Sequence, residues 1–119
     1  MTEVERIDDQ IKRAYGGEAW HGPSLREVLA GVTAEQAAAR PLTSAHSIWE
    51  IVSHVSAWTS TVVQRLRGES LDEPAEGDWP EVSDSSDGAW TRTLADLESN
   101  YEALRREVGA LDEIGRAHV

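Results

Sequence analysis

The feature that most constrains the fold is an unbroken apolar repeat in the last third of the 119-residue chain. The repeat alternates steps of four and three over about six helical turns. Its members are Trp90, Leu94, Leu97, Tyr101, Leu104, Val108 and Leu111. This spacing is typical of a helix that packs lengthwise along neighbouring helices. It predicts a long helix over residues 88–111, with Asp87 as its N-cap.

Apolar stripes of the same kind predict two other long helices. The first covers residues 3–15 and ends at a pair of glycines, which readily adopt the conformation that caps a helix. The second covers residues 45–67, starts after an N-cap at Ser44 and ends at Gly68. The stripe of the first helix consists of Val4, Ile7, Ile11, Ala14 and Tyr15. The stripe of the second helix consists of Ile48, Ile51, Val52, Val55, Trp58, Val62 and Leu66.

Two short helices are predicted between the first and second long ones. One of them ends before Gly31 and has apolar residues at Leu25, Val28 and Leu29. The other covers residues 34–40 and opens with a capping box formed by Thr33 and Gln36.

Residues 69–88 form a predicted irregular linker between the second and third long helices. They contain eight acidic residues, two prolines, two glycines and four serines, and they contain no lysine or arginine. Trp79, beside Pro80, is the one group in the linker that we expect to hold it against the body of the protein. Residues 112–119 are interrupted by a glycine and are predicted to form a short tail outside the helix.

The predicted fold class is therefore all-α. One domain over residues 1–119 contains three long helices and two short ones, and no segment has the alternating pattern of a strand. We expect Trp58 and Trp90 to be buried in its core and Trp79 to be at most half buried. For Trp49, Trp58 and Trp90 we favour packing in the core. The alternative is that they form a stacking site for a ring ligand.

Charge and composition exclude several classes of function. The net charge of −11 repels nucleic-acid phosphates and anionic lipids, which argues against nucleic-acid binding and membrane binding. The absence of cysteine excludes disulfides, thiolate metal sites and a cysteine nucleophile. No apolar run is long enough to span a membrane, and the N-terminus does not have the pattern of a signal peptide. These features predict a soluble, cytoplasmic protein.

The candidate site residues lie on the second long helix. His46, Glu50 and His54 are spaced four residues apart and form one row, in which Glu50 and His54 are close enough to share a ligand or a hydrogen bond. The two histidines are about 12 Å apart along the helix axis and cannot bind the same ion. Two roles for His54 are compatible with its spacing: a hydrogen-bonded core residue, or a metal ligand facing the bundle interior. On spacing alone we favour the first. For His46 we favour a surface or capping role, for His21 a position in a turn, and for His118 a position in a frayed terminus.

Two stretches of sequence resemble the DinB-like superfamily, the proteins with the DinB and YfiT fold. They are EAWHGPSLREVLAGVTAEQAAARP and PLTSAHSIWEIVSHVSAW, and the resemblance extends over about residues 3–111. It implies an up-down four-helix bundle, often dimeric, that holds a divalent metal such as zinc, nickel or iron with three histidines. One of these histidines corresponds to His54. The other two form an H-x-x-x-H pair on a final helix, and this sequence contains neither that motif nor that helix.

Two functions follow from the resemblance, and a third from charge alone. The first is a metal-dependent enzyme, of the hydrolase or low-molecular-weight-thiol transferase type, with His54 as one ligand of an incomplete site. The second is a non-catalytic bundle that self-associates as a homodimer, because three long helices without the fourth leave an apolar groove. The third is a module whose acidic linker binds a basic partner. The sequence leaves open whether the chain is an enzyme, and it does not identify a substrate.

Overall fold

A computed structural model describes residues 2–16 and 24–117 of the chain, and the side chains of 2–15 and 24–111. The described residues form five helices and no strand, which confirms the all-α prediction. The helices are α1 (Glu3–Gly16), α2 (Leu25–Leu29), α3 (Ala34–Ala38), α4 (Ile48–Leu66) and α5 (Asp87–Ala117).

Helix α5 is the element against which most of the bundle is arranged. Helices α1, α3 and α4 all contact α5, α3 also contacts α4, and α2 contacts α1. Within the described part of the chain, α1 and α4 make no contact with each other. The buried core is one cluster, and α1 only borders it: no described residue of α1 is buried, and Tyr15 packs against the cluster from outside.

The main core cluster lies between α4, α5 and the two short helices. Trp49 and Trp90 meet at its centre, with ring centroids 5.0 Å apart and planes inclined at 53°. The indole N–H of Trp90 donates to the Val32 carbonyl, which satisfies the one polar group of this buried ring. Other buried members of the cluster are Leu29, Ala34, Ala37, Val52, Ala89 and Leu97.

The tryptophan predictions are confirmed for Trp90 and wrong for Trp58. Trp90 is 4 % exposed, and Trp49, for which core packing was favoured, is 3 % exposed. Trp58 is only partly buried, because it lies on a side of α4 turned away from α5 and its indole N–H donates to Asp78. Trp79 is 40 % exposed, slightly more covered than predicted.

Helix α4 begins three residues later than predicted, with Ser47 rather than Ser44 as its N-cap. The Ser47 hydroxyl accepts from the Glu50 N–H at 3.1 Å, and the Glu50 carboxylate accepts from the Ser47 N–H at 2.9 Å. This reciprocal capping box satisfies two backbone donors at once and fixes the start of the helix. His46 therefore precedes the helix. The predicted capping box of Thr33 and Gln36 is present on α3.

The end of α4 at Gly68 agrees with the prediction. Gly68 has φ +98°, and its N–H donates to the Arg65 carbonyl while the Glu69 N–H donates to the Gln64 carbonyl. This pair of bonds is the Schellman motif, which requires a left-handed residue after the helix and so favours glycine.

Both ends of α5 differ from the prediction. At the start, the N-cap is Ser86 rather than Asp87, because the Ser86 hydroxyl accepts from the Ala89 N–H. At the other end the helix continues to Ala117, so most of the predicted tail is helical. A glycine inside a helix costs only about 1 kcal/mol relative to alanine, and Gly115 therefore does not end it.

Candidate functional site

Residues 69–86, here called the acidic segment, lie along α4 and run in the opposite direction to it. Near the end of α4, the Arg65 guanidinium donates to the carbonyls of Leu71 and Asp72, at 2.6 and 2.8 Å. Two turns closer to the start of the helix, the Trp58 indole N–H donates to Asp78 Oδ1 at 2.5 Å. The predicted linker thus has a defined path over one side of α4.

Trp79 of the acidic segment lies between the two histidines of the predicted row. Its ring stacks on His46 with centroids 3.6 Å apart and planes inclined at 6°, and on His54 with centroids 3.9 Å apart and planes inclined at 14°. The predicted role of Trp79, to hold the linker to the body, is consistent with these contacts. The sequence did not indicate which residues it would contact.

The protonation of the His54 ring follows from its hydrogen bond. Nδ1 lies 2.5 Å from the Asp78 carbonyl oxygen and 3.3 Å from the Asp78 carboxylate. Because a carbonyl oxygen can only accept, Nδ1 carries the proton in this contact, and in the neutral ring Nε2 is the nitrogen with the lone pair. His54 is thus held by a hydrogen bond, as the favoured interpretation of its spacing required, but to the acidic segment rather than within the core.

Glu50 belongs to the start of the helix and not to His54. Hydrogen bonds from the Ser47 backbone N–H and from the His46 side chain lower the pKa of Glu50 to about 2. The Arg40 guanidinium lies 3.5 Å from the same carboxylate and acts in the same direction. The spacing allowed Glu50 and His54 to share a hydrogen bond, but the Glu50 carboxylate oxygens are engaged by the Ser47 N–H and by His46 instead.

The lowered pKa of Glu50 predicts an acid-sensitive contribution to stability. A folded-state pKa of about 2, below the usual glutamate value of 4.5, gives a stabilisation that is complete above pH 4.5 and is lost as the pH falls towards 2. We expect Glu50→Gln to lose less stability than the wild type over this range, as measured by urea unfolding at a series of pH values. Glu35→Gln, at an exposed carboxylate with no hydrogen bond in the described chain, is the control and should follow the wild-type profile.

The described residues do not complete a metal site. No group of three histidine, cysteine, aspartate or glutamate side chains among them is placed to hold a metal ion. His54 supplies one imidazole, but its ring is covered by Trp79, and Asp78 beside it accepts from Trp58. His21 and His118, to which the sequence assigned a turn and a frayed end, lie outside the described residues.

The sequence did not indicate that Asp78, Trp79 and Trp58 gather around His54. Each contacts His54 or lies beside its contacts, and each comes to it from a position 4 to 25 residues away in the chain. The only signal for this cluster was a single tryptophan in an acidic, irregular stretch, a position where a large apolar ring needs a surface to cover it.

Comparison with known proteins gives one match. The family model described as the DinB superfamily matches residues 19–117, which include α2 to α5 and the acidic segment. No curated protein and no solved structure matches the chain. In the part of the chain that the structure describes, none of the helices has the length and apolar character needed to cross a membrane.

Proposed function

The chain belongs to the DinB superfamily, and from that premise we propose that it acts as a self-associating helical bundle in which α4 forms the contact between subunits. The observation that carries the proposal is an exposed apolar face on α4. Its members, with their exposed fractions, are Ile48 (39 %), Ile51 (46 %), Val62 (37 %) and Leu66 (37 %).

These four residues lie on one side of the helix. Ile51 and Val62 are eleven residues apart, which is about three full turns, and the other two are one turn from them. The face is turned away from the buried side with Trp49 and Val52, and it adjoins the side that the acidic segment covers, because Trp58 is two turns from Ile51. A row of exposed apolar residues along a helix is uncommon on a protein that works as a monomer, and it favours association.

A second copy of the chain is the occupant that fits this face best. In a two-fold dimer the same face contacts itself, and the two α4 helices run in opposite directions. The acidic first turn of one α4, with Glu50, then lies near the basic last turn of the other, with Arg65, and the helix dipoles oppose each other favourably.

Sedimentation equilibrium at low micromolar concentration tests the proposal. We expect a particle of twice the chain mass of 13.1 kDa. A monomer of 13.1 kDa that unfolds cooperatively would contradict it, because such a monomer would not need a partner to cover α4.

A metal-dependent enzyme is the second candidate, and the hydrogen bond of His54 favours it. Histidines that bind metals usually donate their other ring N–H to a carbonyl or carboxylate, and His54 Nδ1 has such a partner in Asp78. We therefore keep His54 as a proposed ligand for zinc, nickel or iron. The described residues lack the remaining donors, so we derive no hydrolase or thiol-transferase step. A cytoplasmic location and the absence of nucleic-acid binding remain proposals that rest on the charge of the chain.

Metal content distinguishes the two candidates. We expect less than one tightly bound metal ion per chain after dialysis against a weak chelator, because a single imidazole holds a divalent ion weakly. Elemental analysis is the measurement, with His46→Ala as the matched control for His54→Ala. One zinc, nickel or iron ion per chain that is lost in His54→Ala and kept in His46→Ala would favour the enzyme.

A further inference from the structure

The contacts of Asp78 and Trp79 resemble those of a bound ligand. Two imidazoles hold the Trp79 ring between them, and two side-chain N–H groups from α4 donate to oxygens of Asp78. We propose that this side of α4 is a binding site for a small planar aromatic carboxylate, and that Asp78 and Trp79 of the chain's own acidic segment occupy it in the structure.

The ring-binding part of the site favours a planar ring. His46 and His54 lie nearly parallel to the two faces of Trp79, at ordinary stacking distances. The indole N–H of Trp79 makes no hydrogen bond in the described chain, so the ring is held by stacking and not by a polar contact specific to tryptophan. Another flat ring of similar size can therefore make the same contacts.

The oxygen-binding part of the site is made by His54 and Trp58. His54 Nδ1 donates to the Asp78 carbonyl, and Trp58 Nε1 donates to the Asp78 carboxylate, both at 2.5 Å. If the acidic segment leaves, both N–H donors become available to the oxygens of a ligand. A carboxylate attached near an aromatic ring offers two oxygens at a suitable position, and indole-3-acetate is the simplest probe of that shape.

The acidic segment has the properties of a removable occupant. Within residues 70–85 its backbone forms one hydrogen bond to itself, from the Gly77 N–H to the Pro74 carbonyl. Its polar links to α4 come from three side chains: His54, Trp58 and Arg65. The segment is rich in acidic residues and has no basic residue, so its own charges repel one another. Segments with so few backbone bonds open locally at low free energy.

A cavity beside Trp79 is lined by Arg40, Glu50, Pro80 and Val82, among other residues, but not by His46, His54 or Trp58. It adjoins the proposed site and is not the site itself. The inference does not depend on self-association, because none of the contacts that carry it involves the exposed apolar face of α4.

The test uses the full chain with the occupying ring and carboxylate removed. The backbone carbonyl of residue 78 remains, so the titration reads the ring position and the Trp58 donor. We expect the double variant Asp78→Ser/Trp79→Ala to bind indole-3-acetate in calorimetric titration, and the wild type to bind it at least about tenfold more weakly, because its site is open only part of the time. Adding Trp58→Phe to the double variant keeps a ring and removes the N–H donor. This change should weaken the binding of indole-3-acetate about tenfold and leave the binding of indole unchanged.

Three results would overturn the proposal. The first is that the folded double variant does not bind indole-3-acetate at millimolar concentration. The second is that the double variant and the wild type bind it with equal affinity. The third is that Trp58→Phe does not change the affinity of the double variant for indole-3-acetate. Far-UV circular dichroism establishes whether the double variant is folded. If it is not, the wild type is titrated instead and followed by NMR: the Trp79 indole signal should move towards its solvent-exposed position as indole-3-acetate is added, and an unmoved signal would contradict the proposal.

Discussion

Replacing Trp90 with alanine is expected to lower the free energy of unfolding by about 3–5 kcal/mol. Trp90 is almost completely buried, its ring packs on Trp49, and its N–H donates to the Val32 carbonyl 58 residues earlier in the chain. The substitution therefore leaves a cavity where three helices meet and also removes the partner of a backbone carbonyl. Urea unfolding followed by circular dichroism is the measurement.

Trp58→Ala is the matched comparison, because it removes the same side chain from α4. Trp58 is partly exposed and contacts the acidic segment rather than the core, so its removal should lower the unfolding free energy by only about 1–2 kcal/mol. Equal losses in the two variants would mean that the core is not centred on Trp90 and Trp49.

Replacing Ile51 with aspartate is expected to abolish dimerisation. Two-fold symmetry places the new carboxylate on both sides of the contact, so each dimer would bury two unpaired charges. Each 1.4 kcal/mol of lost interaction weakens association tenfold, and we expect the dissociation constant to rise at least about a hundredfold. Folding of the monomer should be almost unchanged, because Ile51 is exposed within one chain. Sedimentation equilibrium and thermal unfolding measure the two effects.

Val28→Asp is the control for this change. Val28 lies on α2 and is 54 % exposed, so the substitution introduces the same charge at an equally exposed apolar position away from α4. It should leave the dimer intact. If Val28→Asp dissociated the dimer and Ile51→Asp did not, the subunit contact would lie on the α1–α2 side of the bundle.

The helices were predictable because each carries its signal locally. The spacing of apolar residues indicated α1, α4 and α5, and the capping box of Thr33 and Gln36 indicated α3. The errors fall where two local signals compete. Ser44 and Ser47 are both good N-caps, and only the match between Ser47 and Glu50 three residues later decides between them. The apolar stripe of α4 is also broader than the side that α5 covers, so the stripe alone could not show that Trp58 lies outside the core.

The candidate site was less predictable, because its parts are far apart in the sequence. The spacing identified His46 and His54 as neighbours on one row, but the residue that joins them is Trp79, on an irregular segment with no periodic pattern. The path of such a segment depends on a few side-chain contacts, such as those of Arg65 and Trp58 with its carbonyls and carboxylates. No local rule of the sequence fixes these contacts in advance.

The position of α5 in the chain has a consequence for how the protein folds during synthesis. Before residue 87 the described helices have only two pairs of contacts among themselves, α1 with α2 and α3 with α4. All other contacts between the described helices form only after α5 has been synthesised, and its 31 residues take about 2–6 s to be translated. During that interval the side of Trp49 that later meets Trp90 has no partner. The nascent chain therefore exposes its future core on the ribosome, where chaperones that bind apolar segments would have their main opportunity to act.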